Sequence, residues 1–179
     1  MELKGSQTEK NLMTAFSGES EARNKYTYYA SKAKKDGYEQ IAAIFEETAG
    51  NEKEHAKLWF KLLKGGDIPS TLDNLKDAAA GEDYEATEMY AEFAKVAYEE
   101  GFEQIAKLFE GVAQIEAHHR DRYLKLVGNI ENNLVFHKGE EVVWICRNCG
   151  HIYYGEDALK VCPVCSHPES FMELRCENY

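Results

Sequence analysis

Two short patterns of acidic and imidazole side chains occur in the chain, each a glutamate followed three residues later by a histidine. They are Glu52 with His55, and Glu116 with His119. Side chains three residues apart on a helix are neighbours, so both members of a pair can reach one ion. The Glu-x-x-His pattern on helices is typical of carboxylate-rich metal sites. The two pairs therefore predict metal ligands.

The residues around each pair are apolar or small at alternating steps of four and three, which is the spacing of one helix face. A glutamate and a histidine interrupt each stripe at its centre. The other members are Ile41, Phe45, Thr48, Trp59 and Leu62 in one stripe and Ile105, Phe109, Val112, Tyr123 and Leu126 in the other. This pattern predicts that both pairs face the interior of a helical domain.

Further glutamates lie at inward positions of two other predicted helices. They are Glu19 on the first, and Glu82 with Glu85, one turn apart, on the third; Asp83 or Glu88 could take one role if the register differs. An ionised carboxylate in an apolar interior is unfavourable unless it is protonated, paired or bound to a cation. Two iron ions would supply about +4 against about −5 from five glutamates, which is the di-iron carboxylate arrangement.

One inward Glu-x-x-His by itself is more often a surface turn or a paired core residue, but two copies with glutamates opposite them favour a metal. Oxygen-rich sites suit iron or manganese better than zinc. Tyr26 and Tyr90 lie a turn or two from the glutamates and either pack in the core or hydrogen-bond to ligands. His118 is expected to be solvated or to support a ligand.

Four long helices are expected to carry these residues, roughly at 6–36, 38–64, 81–100 and 102–131, with about 16 residues crossing between the middle two. The segment from Gly37 to Ala42 returns as Gly101 to Ala106, an offset of 64 that also relates Glu52 to Glu116 and Tyr26 to Tyr90. Such a repeat predicts two helix pairs of one design. A mainly α fold class follows: a ferritin-like four-helix bundle with one long crossover over residues 1–134.

The sequence pattern changes from helical to β-type at residue 135, and residues 135–179 form the second predicted domain, a small β-type unit. Two C-x-x-C knuckles, Cys146 with Cys149 and Cys162 with Cys165, predict one tetrahedral four-thiolate metal site. From these residues alone, zinc and iron fit equally well. Cys176 belongs to neither knuckle and is expected to be a free thiol.

The net charge of −11 argues against a nucleic-acid partner, which would require a basic surface. The chain contains no apolar run of about 20 residues, so no membrane span is expected. The polar start from Met1 to Lys10 lacks the apolar core of a signal peptide, so we expect a cytoplasmic protein.

The order of these motifs resembles the rubrerythrin family over essentially the whole chain. The resemblance rests on Glu19 within Gly-Glu-Ser-Glu-Ala-Arg-Asn-Lys-Tyr, on Glu82-x-x-Glu85, on the two Glu-x-x-His pairs and on the two cysteine knuckles. It implies a di-iron centre and a rubredoxin-like Fe(Cys)4 centre. By resemblance, Glu52 and Glu116 would bridge the irons, Glu19, Glu82 and His119 would complete the ligand set, and Glu85 and His55 would exchange with redox state.

The activity that the resemblance implies is a peroxidase that reduces hydrogen peroxide to water in protection against oxidative stress. Because the chain contains no G-x-G-x-x-G motif, we expect it to bind no nicotinamide itself and to take electrons from an external reductase or rubredoxin, giving NADH peroxidase activity with a partner. A homodimer or higher homo-oligomer is expected. Two alternatives remain: a ferritin-like ferroxidase that handles iron, and a non-enzymatic electron-transfer protein with a zinc ribbon.

Overall fold

The first two helices form a hairpin. The computed structural model describes residues 2–178, in which α1 spans Gln7–Lys35 and α2 spans Glu39–Leu63. The Ser6 hydroxyl begins α1 by accepting a hydrogen bond from the backbone N–H of Glu9 at 3.1 Å. A turn at Gly37, whose φ is +84°, ends it. The two helices pack through buried alanines, which allow a close approach: Ala30, Ala33, Ala42, Ala49 and Ala56.

The next helices form a second hairpin of the same design. Here α3 spans Thr71–Tyr84 and continues through a π-helical turn, Glu85–Met89, into α4, Tyr90–Glu99. A turn at Gly101, with φ of +85°, leads to α5, Glu103–Glu131. Both α3 and α4 pack against α5. The buried apolar residues of this hairpin are again mostly alanines: Ala79, Ala94, Ala97, Ala106 and Val127.

The third helix starts earlier than the sequence pattern predicts. It begins at Thr71 rather than at residue 81, so that only residues 64–70 separate α2 from α3. The expected long crossover is therefore mostly helical. The run from Ala78 to Ala80 has the highest intrinsic helix propensity, and one glycine, Gly81, costs too little to stop a helix that its flanks support. Gly65, Gly66 and Pro69 confine the irregular backbone to the short link.

The two hairpins repeat in three dimensions, residue by residue. Tyr26 and Phe45 have ring centroids 6.1 Å apart, and their equivalents Tyr90 and Phe109 are 5.9 Å apart. These residues obey the offset of 64. Upstream of the π turn, however, the matching offset is 63: Asn11-Leu12 corresponds to Asn74-Leu75, and Gly18-Glu19 corresponds to Gly81-Glu82. The second hairpin therefore contains one extra residue, and the π turn is where its helix accommodates it.

A small antiparallel sheet follows α5. Its strands are β1, His137–Cys146, β2, Ile152–Asp157, and β3, Met172–Leu174, in the order β2-β1-β3. A 3-10 turn, Glu169–Phe171, precedes β3. The core of this unit contains Trp144, whose indole N–H donates to the carbonyl of Gly155 at 3.0 Å. Its other buried members are Cys146, Ala158, Cys162 and Met172.

These elements confirm the predicted fold class of four long helices followed by a small C-terminal sheet with cysteine knuckles. The chain divides into two compact units between Ser70 and Thr71, with the first hairpin in one unit and the second hairpin and the sheet in the other. The predicted domains, 1–134 and 135–179, stay a prediction. Among residues 2–178, no helix combines the length and the hydropathy that a bilayer crossing requires.

Candidate metal centres

The first cluster of candidate ligands lies in the first hairpin. Glu19 is on α1, and Glu52 and His55 are on α2, with one ligand atom from each within 4.8 Å of the others. His55 Nδ1 is 2.8 Å from Glu52 Oε2 and 3.8 Å from Glu19 Oε1. The i, i+3 spacing brings the first pair together, and the packing of α1 on α2 brings Glu19 to them.

The second cluster has the same geometry in the second hairpin. Glu82 on α3 joins Glu116 and His119 on α5, again within 4.8 Å. His119 Nδ1 is 2.7 Å from Glu116 Oε2 and 3.7 Å from Glu82 Oε2. Two separate stretches of sequence thus produce one constellation of two carboxylates and one imidazole, with distances that agree within 0.1 Å.

Negative charge is crowded in the second cluster. Burial raises the pKa of the Glu82 carboxyl, and the neighbouring Glu116, which shares a hydrogen bond with it, raises it further; His119 acts in the opposite direction. Burial, followed by the charges of Glu85, Glu116 and Glu82, raises the pKa of the Tyr90 hydroxyl. Such a site would gain from a cation that replaces the shared proton.

The remaining sequence candidates take different places. Glu85 is half-buried at the start of the π turn, close enough for its charge to act on Glu82 and Tyr90, but it is not a member of the cluster. The alternatives do not replace it: the carboxylate of Asp83 binds Arg120 at 2.9 Å, and Glu88 is exposed. Tyr26 packs against Phe45 and Tyr29 in the first hairpin.

The four knuckle cysteines converge in the small domain, as their spacing predicts. Cys146 Sγ lies 3.7 Å from Cys165 Sγ, and Cys149 Sγ lies 3.6 Å from Cys162 Sγ. Four sulfurs at about 2.3 Å from a tetrahedral ion would be about 3.8 Å from one another. The sulfur positions therefore fit one tetrahedral metal ion. Cys176 is exposed and lies outside this group.

The two knuckles are built by the same backbone hydrogen bonds. Cys146 N–H donates to the carbonyl of His151, and Cys162 N–H donates to that of His167, both at 2.9 Å. In each knuckle, one residue has a left-handed backbone: Gly150 at φ +77° in the first, and Ser166 at φ +60° in the second. The repeat aims two thiols from each knuckle at a common point.

The pKa values of two of the four thiols, those of Cys165 and Cys149, are shifted in opposite directions. The backbone N–H of His167 lowers the pKa of the Cys165 thiol to about 6, against the effect of burial. At Cys149, the backbone N–H of His151 lowers the pKa, but burial and hydrogen bonds from the other three cysteines outweigh it and raise the value to about 12. A metal that binds here must displace protons, which is the usual behaviour of a four-thiol site.

The donor sets fit the metals that the sequence predicts. Carboxylate-rich clusters with one imidazole each suit redox iron, and four convergent thiols suit iron or zinc. Two features of the site escaped sequence analysis, namely the Asp83–Arg120 ion pair and the π turn. The change of repeat offset from 63 to 64 is visible in the sequence and would have revealed the π turn.

Comparison with known proteins agrees with this geometry. The family model described as Rubrerythrin matches residues 10–127 and 73–144, and the model described as Rubrerythrin, rubredoxin-like domain, matches residues 144–173. The rubrerythrin of Porphyromonas gingivalis is 50% identical over 188 residues, covering 99% of this chain and 94% of that protein. The rubrerythrin of Nitratidesulfovibrio vulgaris is 49% identical, covering 99% and 98%.

A third relative, rubrerythrin-1 of Clostridium acetobutylicum, is 48% identical over 192 residues, covering 99% of this chain and 98% of that protein. These similarities extend over both the helical segment and the cysteine knuckles. The chain belongs to the rubrerythrin family, a family of oxidoreductases, and it carries the carboxylate and histidine groups of a di-iron domain together with the four cysteines of a rubredoxin-like site.

Proposed function

We propose that this chain is a non-haem di-iron peroxidase that reduces hydrogen peroxide to water and protects against oxidative stress. The observation that carries the proposal is the presence, in one chain, of two matching carboxylate–histidine clusters and a four-cysteine cluster. The reaction consumes one peroxide, two electrons and two protons and yields two water molecules. It therefore requires both a two-electron centre and a route for replacing the electrons.

The ligand roles follow the family pattern. Glu52 and Glu116 would bridge the two irons, with Glu19, Glu82 and His119 as further ligands and with Glu85 and His55 exchanging at one iron. The distances within each hairpin support six of these seven residues as ligands, because each histidine lies within 3 Å of its own glutamate and within 4 Å of the glutamate on the facing helix. When bound, a pair of irons supplies two electrons and Lewis-acid stabilisation of developing negative charge.

The side chains around the clusters have their own tasks. Five carboxylates would neutralise the positive charge of two metal ions in a partly buried site. The Tyr90 hydroxyl is protonated at neutral pH, since burial and carboxylate charges raise its pKa above an ordinary value that is already 10.0, and it can donate a hydrogen bond to an anionic oxygen. Tyr26 is the equivalent residue in the first hairpin, and we assign it the same role.

The four-cysteine site would relay electrons one at a time from an external donor. We infer a reductase that oxidises NADH, or a rubredoxin, as the donor, because the sequence contains no G-x-G-x-x-G motif for binding a nicotinamide cofactor. Cys149 is the exposed member of the site and is accessible to such a partner. We also infer a homodimer or a higher homo-oligomer as the working form, as the family resemblance implies.

The decisive experiment is rapid mixing of the anaerobically reduced, iron-loaded protein with hydrogen peroxide. One equivalent should oxidise the carboxylate-bound iron far faster than dissolved oxygen does. Glu116→Gln should lower the peroxide rate by at least about 100-fold, as expected for loss of a metal ligand. Glu110→Gln, an exposed position on the same helix, is the matched control. Faster oxidation by oxygen than by peroxide would reject the peroxidase and support a ferroxidase.

A further inference from the structure

The second hairpin contains a cross-helix ion pair beside its candidate ligands. Arg120 Nη1 lies 2.9 Å from Asp83 Oδ1, and Arg120 Nε and Nη2 both lie 2.9 Å from Asp121 Oδ1. Asp83 directly follows Glu82 on α3, and Arg120 directly follows His119 on α5. The ion pair thus joins the two helices at the level of the cluster, one residue from a ligand on each side.

Among the described residues of the first hairpin, no ion pair other than the contact between the candidate ligands themselves joins α1 and α2 at the level of the cluster. Offsets of 63 and 64 place Ser20 and Ala56 at the positions of Asp83 and Arg120. The Ser20 hydroxyl donates to the carbonyl of Phe16 in its own helix at 2.7 Å, and Ala56 is a buried packing residue. Neither side chain can form an ion pair. No ion pair from these two positions therefore holds Glu19 and His55 in place relative to each other.

The ligands of the second cluster are also better shielded from water. The side chain of His119 is 41% exposed and that of Glu82 is 21% exposed, whereas their equivalents His55 and Glu19 are 51% and 29% exposed. A cluster whose ligands are held together before binding loses less conformational entropy when the ion arrives. Both differences predict that the cluster in the second hairpin binds a metal ion more tightly than the cluster in the first.

We propose that Asp83 and Arg120 are positioning residues that hold the Glu82–Glu116–His119 cluster ready, so that this cluster takes a metal ion before the Glu19–Glu52–His55 cluster does. The inference rests on the proposed function only in that both clusters bind metal. Arg120 is 26% exposed and Asp83 is 54% exposed. An ion pair that is partly open to water contributes at most about 1 kcal/mol, so its loss should weaken the first binding step about five-fold.

The test is a cobalt titration of the full-length protein, with iron kept in the four-cysteine site and the carboxylate sites emptied by a chelator. Visible absorption and calorimetry would follow the binding of Co²⁺. The wild-type protein should bind two equivalents in two steps of different affinity. Asp83→Asn should weaken the first step about five-fold and leave the second unchanged. His119→Ala should abolish the first step, and His55→Ala should leave it in place.

Two further variants separate positioning from simple charge. Lys76→Gln breaks another ion pair between α3 and α5, Lys76–Glu131 at 2.6 Å, away from the cluster, and it should not change either step. In an Asp121→Asn background, which removes the second carboxylate partner of Arg120, the exchange Asp83→Arg with Arg120→Asp should restore the first step, because it re-forms the connection with the charges reversed. Helix content by circular dichroism should be the same in all variants, and Arg120→Gln replaces Asp83→Asn if the latter does not fold.

Three results would overturn the inference: two equivalents binding with equal affinity, an Asp83→Asn effect confined to the second step, or a charge exchange that fails to restore the first. The last result would mean that the positive charge of Arg120 acts by itself. Co²⁺ does not turn over peroxide, so these outcomes are independent of the peroxidase proposal. A protein that shows ordered cobalt binding but no peroxide reduction would refute the proposed function alone.

Discussion

The four-cysteine domain and the helical hairpins place their ligands in opposite ways relative to the core. In the small domain, the ligands are part of the core: Cys146 and Cys162 are 0% and 1% exposed and pack with Trp144. In the hairpins, the buried residues are mainly alanines, and the glutamates and histidines of the clusters are half-buried or exposed. The metal site and the core coincide in one region and are separate in the other.

This difference indicates what the metal does for each region. About 45 residues bury too little apolar surface to fold unaided, so a metal among core cysteines contributes directly to folding. The hairpins have long helices whose packing does not depend on the ligands. Metal binding should therefore determine stability in the small domain and activity in the hairpins.

The largest effect should come from Cys162→Ser. It removes a buried ligand and leaves three thiols that cannot complete a tetrahedral site, so the iron should be lost and β1 and β2 should unfold. Hydrogen–deuterium exchange of peptides from residues 137–157 should rise to the rate of an unstructured chain. The matched control is Cys176→Ser, an exposed cysteine outside the cluster, which should retain both the red iron colour and the slow exchange. Slow exchange in the iron-free Cys162→Ser protein would show that the domain folds without metal.

A ligand change in the hairpins should leave the fold intact. Glu116→Gln should weaken metal binding at the second cluster by at least about 100-fold, yet helix content should stay the same, because the buried alanines are untouched. Circular dichroism and metal titration would be measured on the same samples. Loss of helix in this variant, but not in Glu110→Gln, would contradict the separation of metal site and core.

A smaller effect concerns pH and the metal-free protein. The folded-state pKa of Glu82 is raised above the ordinary value of 4.5, mainly by burial and then by Glu116. The folded state therefore holds this proton more tightly than the unfolded state. The contribution of Glu82 to the free energy of unfolding is fully present below about pH 4.5, and it is lost as pH rises through the higher folded-state pKa. Metal binding changes in the opposite direction and strengthens over that range, because fewer protons compete.

Urea unfolding of the metal-free protein, from pH 4 to 7, would measure this effect. Glu82→Gln removes the titrating group and should flatten the decline. Glu88→Gln changes a carboxylate that is exposed on the same helical rod, and it should follow the wild-type curve. If the wild-type and Glu82→Gln curves are parallel, the raised pKa has no consequence for stability.

The smallest predicted effect lies within the small domain and compares its two knuckles. Ser166 has the left-handed backbone that Gly150 provides in the other knuckle. Ser166→Gly should raise the free energy of unfolding of the iron-loaded domain by up to about 1 kcal/mol, since glycine adopts φ above zero without a Cβ clash. Gly150→Ser should lower it by a similar amount. Thermal loss of the red colour would report both, and equal melting temperatures for all three proteins would contradict the argument.

Sequence analysis predicted the residues of the three clusters because they obey local rules. Glu52 and His55 are three residues apart on one helix, and each cysteine knuckle is closed by hydrogen bonds within six residues. Contacts that depend on how one helix is placed against another were not predictable in the same way. The Asp83–Arg120 pair joins residues 37 apart, and no spacing rule indicates it. The early start of α3 was missed, although the run from Ala78 to Ala80 has high helix propensity and a single glycine, Gly81, does not stop a helix.

The π turn has a further consequence for how this chain could change in length. Each residue of an α-helix advances the rotation by about 100°, so one added residue would turn everything beyond it to another side of the rod. Glu82 and Tyr90 nevertheless present the same faces as Glu19 and Tyr26, although eight residues separate the first pair and seven separate the second. The π turn therefore absorbs one inserted residue, so that the side chains on both sides of it keep their orientation.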